Sequence, residues 1–174
     1  MKKPQFLLLK LVFLSILVSS SISFENLEGY KKEVIIGKVV AITDGDTFKL
    51  LKQDSTLIRV RLANIDCPER KQPFSKRAKQ FTSDAVFGKT VTLKVLKKDR
   101  YRRFISDVIY DDSLVLSQEL IKQGLAWHYV KYSKDSLLQS LHDSAKANKI
   151  GLWQDENAIA PWDWRDTKKR KIKE

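Results

Sequence analysis

The sequence predicts an α+β fold, mainly β, in which a small antiparallel barrel of five strands carries three packed α-helices. Five segments between residues 33 and 110 are rich in β-branched residues or alternate apolar with polar side chains, as strands do. One helical segment precedes the fourth strand and two follow the fifth, which argues against a βαβ repeat. With 174 residues, 43% of them hydrophobic, the chain suits one domain with a real core.

The first two strands flank a turn. Segment 34–42 is rich in valine and isoleucine, and Gly37 within it marks a bulge or a close approach of another backbone. Asp44 and Gly45 form a turn signal before the second strand at 47–51.

The next three strands are predicted from alternation. Segment 57–65 alternates most cleanly and turns Arg61 away from its apolar side, 91–95 repeats the pattern, and 104–110 shows it less regularly.

Three helices complete the predicted fold. They cover 75–86, then 114–123 with Asp112 or Ser113 as the N-cap, and a third segment capped by Asp135. An OB-type barrel accommodates this order of elements, and that fold presents a face and loops to oligonucleotides.

The N-terminus has the layout of a secretory signal peptide. A basic start, an apolar run at 6–18 and small residues before Phe24 predict cleavage after residues 1–23. The alternative is an uncleaved anchor or a buried helix. We expect a secreted or periplasmic monomer with its domain at 24–165 and a basic, solvated tail at 166–174.

The chain is strongly basic, with a formal net charge of +12. The predicted signal peptide holds three lysines and no acid, so the remainder has 30 basic against 21 acidic residues, a net charge of +9. Such an excess favours polyanions such as nucleic acid, although a basic protein with no anionic partner is the alternative.

The residue inventory excludes several chemistries. One cysteine and two distant histidines form no zinc motif, and the phosphate-binding and dinucleotide-binding glycine loops and the Gly-x-Ser-x-Gly elbow are absent. A hydrolase built from this chain must use carboxylates, arginines and a metal.

Four acidic residues at strand ends are candidates for that chemistry. Asp44, Asp46 and Asp66 supply the oxygen ligands that calcium prefers, and Glu69 could activate water as a general base. The alternative is structural, because Asp-Gly is a common turn and an exposed loop glutamate is usually solvated.

Arginines and aromatic residues add a possible phosphate and base site. Planar guanidinium groups at Arg61 and Arg103 match the charge that develops on a phosphodiester, unless both lie on a solvated basic face. Bases stack on rings such as those in segment 127–132, although core packing explains some of these rings equally well.

Four motifs in register resemble the staphylococcal nuclease (thermonuclease) family over about residues 33–155. They are Asp44–Thr47, Arg61–Glu69, Tyr101–Arg103 and Gln123–Ala126. The resemblance implies a five-stranded OB-fold barrel with three helices. It also implies calcium-dependent hydrolysis of DNA and RNA that leaves 3′-phosphates.

The resemblance also implies site roles. These are Arg61, Glu69 and Arg103 for catalysis; Asp46, Asp66 and the backbone carbonyl of Cys67 for calcium; Arg100 and Tyr101 for the nucleotide phosphate; and Tyr129 or Tyr132 for the base or sugar. Two positions depart from the family pattern. Cys67 replaces a threonine, and because the family uses only the backbone carbonyl at this position, the substitution should be tolerated. Arg102 replaces a glycine, which is expected either to add a phosphate contact or to stiffen the loop before Arg103.

Two other functions compete with a nuclease. One is a catalytically silent OB-fold module that binds nucleic acid or another polyanion, and the other is an extracellular adhesion domain. A silent relative is expected to lose the carboxylates or arginines, and this chain retains them.

Overall fold

A computed structural model describes the backbone of residues 33–171 and the side chains through residue 167. The predicted signal peptide, residues 24–32 and the last three residues lie outside this range. The strands are β1 Val34–Ile42, β2 Thr47–Lys52, β3 Leu57–Leu62, β4 Ile65–Asp66, β5 Thr90–Lys98, β6 Phe104–Tyr110, β7 Leu114–Val115 and β8 Trp127–His128. The helices are α1 Ser75–Val86, α2 Leu116–Lys122, α3 Ser136–Ala147 and α4 Pro161–Lys171, with a 3-10 turn at Gly151–Gln154.

Five strands form a closed barrel, as the sequence predicts. Their order is β3-β2-β1-β5-β6, and each neighbouring pair is antiparallel. The closing pair, β6 with β3, is parallel, with Val60 opposite Phe104 and Arg61 opposite Ile105. The barrel is therefore mixed rather than wholly antiparallel. Its five strands alternate in direction from β3 to β6, so the first and the last strand run the same way where they pair. The short pair β4 and β8 forms a separate ladder.

The barrel encloses a core made by the inward-facing half of each strand. Alternation in β3 buries Ile58, Val60 and Leu62 and leaves the arginines between them outside. Burying each such large apolar side chain contributes roughly 1.5–3 kcal/mol. A second apolar cluster, centred on Trp127 and Trp153, packs the C-terminal segment against the domain.

The structure explains Gly37 by the close approach of another backbone and not by a bulge. The bulge in β1 lies between Val39 and Ala41, beyond Gly37. At Gly37 itself, a Cβ atom would lie 2.6 Å from the carbonyl oxygen of Leu51, so a close approach of β2 explains the glycine.

The three predicted helices are present. The first has the predicted bounds, the third has the predicted N-cap, and the second begins later than predicted. Helix α1 spans 75–86, and the side chain of Asp135 accepts hydrogen bonds at the start of α3. Helix α2 begins at Leu116 rather than at residue 114, because β7 pairs with the end of β6.

The structure adds a helix near the C-terminal end that the sequence did not predict. This fourth helix, α4, spans 161–171 and includes the first residues of the predicted basic tail. Among the residues that the structure describes, no helix has the length and apolar character needed to cross a bilayer.

Candidate active site

Asp46 and Asp66 meet at one guanidinium group. Asp46 ends the turn between β1 and β2, Arg61 lies in β3, and Asp66 ends β4. Nη1 of Arg61 lies 2.8 Å from Oδ2 of Asp46, and its Nη2 lies 2.7 Å from Oδ1 of Asp66. The β2–β3 ladder and a hydrogen bond from Leu62 N to the Asp46 carbonyl (2.8 Å) hold the turn beside β3. Two carboxylates from separate loops therefore converge on one guanidinium group.

Gly45 allows this turn to pack directly against the segment after β4. The backbone N–H of Cys67 donates to Oδ2 of Asp46 at 2.7 Å. A Cβ on Gly45 would lie 3.0 Å from both Cβ and Sγ of Cys67, closer than ordinary contact. The Cys67 thiol is buried, and burial raises its pKa. The small residue at position 45 thus sets the position of Asp46.

Burial disfavours the charged forms of Asp46 and Asp66. It raises the pKa of Asp46 to about 6, although the ion pair with Arg61 opposes the shift. Burial also raises the pKa of Asp66, against hydrogen bonds from Arg165. Burial opposes the charge of Arg61, but Asp46 and Asp66 outweigh it and raise its pKa. Positive charge at this point of the site is therefore strongly favoured.

Glu69 is held near the same cluster by Gln72. The side-chain oxygen of Gln72 accepts from the Glu69 backbone N–H at 2.9 Å, and its Nε2 donates to the carbonyl of Ile159 at 2.6 Å. Gln72 is buried and joins the Glu69 loop to the segment before α4. The sequence did not indicate Gln72, because its partner lies 87 residues away.

Arg165 is a second guanidinium group in the site, and the sequence analysis missed it. Its Nη2 lies 2.7 Å from Oδ2 of Asp66, and its Nη1 lies 2.6 Å from Oε1 of Glu69. These hydrogen bonds outweigh the effect of burial and raise the pKa of Arg165. No local motif marks this arginine, since it belongs to the basic C-terminal end and reaches the site only through α4.

Arg103 lies in the turn before β6, the strand that pairs with the strand of Arg61. It precedes β6, whose first residue pairs with Val60 of β3. Its Nε bonds Oδ2 of Asp99 at 2.7 Å, so its side chain is held within its own turn. The structure joins Arg61 directly to the carboxylates of Asp46 and Asp66, whereas Arg103 lies just before the neighbouring strand and pairs with Asp99.

Arg100 and Tyr101 form an exposed pair in the same turn. Nη2 of Arg100 donates to the Tyr101 hydroxyl at 2.7 Å, and the guanidinium lies 4.8 Å from the ring centroid. Tyr101 is 54% exposed, so this pair is accessible to a ligand.

The aromatic segment after β8 lies beside the acidic cluster. The backbone N–H of Tyr129 donates to the carbonyl of Asn64, immediately before β4. Tyr132 meets the Tyr129 ring edge-on at 4.8 Å, and Trp162 of α4 stacks on Tyr129 at 4.8 Å and 10°. Tyr132 is exposed, whereas Tyr129 is half-buried.

The side chains offer a small set of metal ligands. Among residues 33–171, no group of three or more His, Cys, Asp or Glu side chains is arranged to hold one ion. The carboxylates of Asp46 and Asp66 converge, so backbone carbonyls and water would have to complete a coordination sphere. Oxygen donors of this kind suit calcium, which takes 6–8 oxygens and accepts carbonyls and water among them.

Comparison with known proteins agrees with this geometry. A family model described as "Staphylococcal nuclease homologue" matches residues 59–155, which include most of β3, with Arg61, and the loop with Asp66 and Glu69. The chain belongs to the staphylococcal nuclease family. The resemblance seen in the sequence is therefore confirmed, and so is the barrel with packed helices.

Relatives within the family cover most of the chain. An "Uncharacterized endonuclease" of Haemophilus influenzae is 40% identical over 154 residues, which are 88% of this chain and 86% of the relative. An "Uncharacterized endonuclease" of Escherichia coli is 37% identical over 77% of this chain and 87% of its own length. A "Micrococcal nuclease" of Shigella flexneri is 37% identical over 76% and 82%, respectively. Family membership and these relatives support a nuclease.

Proposed function

We propose that the protein is an exported, calcium-dependent endonuclease that hydrolyses phosphodiester bonds in DNA and RNA and leaves 3′-phosphates. One observation carries the proposal. Arg61 forms ion pairs with Asp46 and Asp66, so two carboxylates and a guanidinium group face one point. A divalent cation and a phosphodiester need this combination of charges.

Asp46 and Asp66 are the calcium ligands in this proposal, together with the backbone carbonyl of Cys67. The donor set fits a hard cation, because its atoms are all oxygen. The raised pKa of Asp46, about 6, has burial as its main cause, and a bound cation would relieve that unfavourable burial of charge. When bound, calcium polarises a phosphate oxygen and helps to orient water.

Glu69 is the general base of the proposed reaction. It lies three residues beyond Asp66, and both carboxylates bond the same side chain, that of Arg165. A water between Glu69 and the phosphate could therefore lose its proton to this carboxylate as it attacks phosphorus. Gln72 keeps the loop in place through the backbone N–H of Glu69.

Arg61 and Arg103 bind the phosphate oxygens in this proposal. Negative charge increases on these oxygens as water attacks, and guanidinium groups stabilise it. Arg61 is already oriented by two carboxylates, whereas Arg103 must exchange its bond to Asp99 for one to the substrate.

The nucleotide itself contacts residues at two sides of the site. Arg100 and Tyr101 bind a phosphate, since both are exposed and lie in the turn that carries Arg103. Tyr129 and Tyr132 contact the base or the sugar, and each ring that stacks on a base contributes roughly 1–3 kcal/mol.

Digestion of a plasmid and of an RNA tests the proposal. Purified protein should cut both substrates with calcium and stop with a chelator, and phosphatase should release phosphate from the new 3′-ends. A protein that shifts DNA on a gel without cutting it would instead be a binding module.

A Glu69→Gln variant tests the general base. Its turnover should fall by roughly 10²–10⁴-fold, because the amide cannot take a proton, while its fold and DNA binding persist. Glu156→Gln is the matched control, since Glu156 pairs with Lys149 on the surface. Near-normal cleavage by Glu69→Gln would remove Glu69 from this role.

A further inference from the structure

Arg165 occupies carboxylate oxygens that the proposed reaction needs. Its guanidinium group bonds Oδ2 of Asp66 at 2.7 Å and Oε1 of Glu69 at 2.6 Å, and its Nη1 lies 3.4 Å from Oδ1 of Asp66. Such a fork is a strong, directional contact. The side chain of Asp66 is only 2% exposed, and its carboxylate is bonded by both Arg165 and Arg61.

Helix α4 presents this arginine from a fixed direction. Trp162 stacks on Tyr129, and residue 165 lies three positions further along the helix, on the same face. The segment before the helix is held by the bond from Gln72 to the Ile159 carbonyl. The arginine is 36% exposed, so its side chain can turn into solvent while the helix stays docked.

The charges explain why this contact matters. Asp46, Asp66 and Glu69 carry three formal negative charges, and the nearby Asp44, which acts on both Asp46 and Arg61, adds a fourth. Arg61 balances one of these charges, so the cluster keeps an excess of negative charge that a divalent cation would offset. With Arg165 in place this excess falls by one, so the guanidinium group acts as a stand-in for part of the ion's charge.

We propose that Arg165 is a built-in counter-ion that competes with calcium for Asp66 and Glu69 and turns away when the ion binds. The inference rests on the proposed function, because it requires calcium at these carboxylates. Arg165 thus lowers calcium affinity and stabilises the calcium-free site. It frees Glu69 to act as a base only when the ion is present.

Calcium titration by calorimetry, without substrate, tests this inference. The Arg165→Ala variant should bind calcium about tenfold more tightly than the wild type, because one positive charge within a few ångströms of the ion is removed. Lys149→Ala is the control: it loses the same charge from an exposed pair with Glu156, and its affinity should change less than twofold.

Thermal unfolding gives a second readout. Arg165→Ala should melt at a lower temperature than the wild type in chelator, and its melting temperature should rise more on addition of calcium. If Arg165→Ala does not fold, Arg165→Gln removes the charge while it keeps the aliphatic stem and a hydrogen-bond donor, and the same comparison applies.

The outcomes separate the two proposals. Equal or weaker calcium binding by the Arg165 variant, beside a wild type that binds calcium, overturns this inference and leaves the proposed function intact. Failure of both proteins to bind calcium overturns both proposals. Tighter calcium binding by the Arg165 variant, with the Lys149 control close to the wild type, supports the competition.

Discussion

The turn that carries Asp46 tolerates no side chain at position 45, and Gly45→Ala tests this. A Cβ there would lie 2.8 Å from Cβ of Ala78 in α1 and 3.0 Å from Cβ and Sγ of Cys67. Ordinary carbon contacts are about 3.5–4.0 Å, so the overlap is about 0.5–1 Å. The Cβ atoms of Ala78 and Cys67 are fixed to their backbones, so the turn itself must move.

This overlap should cost about 1–3 kcal/mol of unfolding free energy, the usual range for an overpacked core. The shift should also weaken calcium binding, because Asp46 would leave the backbone N–H of Cys67, which it now bonds at 2.7 Å. Urea unfolding in chelator measures the first effect, and calcium titration measures the second.

Two variants control this experiment. Ala78→Gly removes the nearest Cβ, so a double-mutant cycle with Gly45→Ala should show that the two substitutions compensate in part. Gly88→Ala introduces strain at a positive φ of 77°, with nothing within 4 Å of the new Cβ, so it should lower stability and leave calcium affinity unchanged. A loss below about 0.5 kcal/mol for Gly45→Ala would refute the steric reasoning.

Two further predictions concern Asp46 and His142. Asp46→Asn should reduce nuclease activity and calcium affinity together, because a neutral amide is a poorer ligand; an unchanged calcium titration would mean that the ligands lie elsewhere. Burial lowers the pKa of His142, so the folded protein resists protonation of this side chain. The neutral side chain therefore contributes stability above about pH 6.5, and this contribution is lost as pH falls through the folded pKa. His142→Phe should keep the edge-on contact with Trp153 and become more stable relative to the wild type between pH 7.5 and pH 5, as measured by urea unfolding at both values. A stability difference that does not vary with pH would contradict this assignment.

Local sequence patterns predicted the barrel well because its strands alternate. In β3 the apolar residues lie inside and Arg61 outside, and the Asp135 cap begins α3 as expected. The start of α2 was missed because residues 114–115 pair with residues 109–110 at the end of β6 across a short turn, and strand pairing there overrides helix propensity.

The candidate site was predicted in part. Asp46, Arg61 and Asp66 meet as expected, since adjacent strand ends bring them together. Arg165 could not have been found in this way, because its partners are 96 and 99 residues away and α4 has no amphipathic pattern that would predict its docking. Contacts of such sequence separation leave no local signal.

The buried thiol of Cys67 has a practical consequence for making this enzyme. It is the only cysteine in the chain, and it is shielded in the interior of the site. Folding therefore depends on no disulfide and no oxidising compartment. Recombinant protein made in a reducing cytoplasm should reach the same native state as protein made in an oxidising compartment.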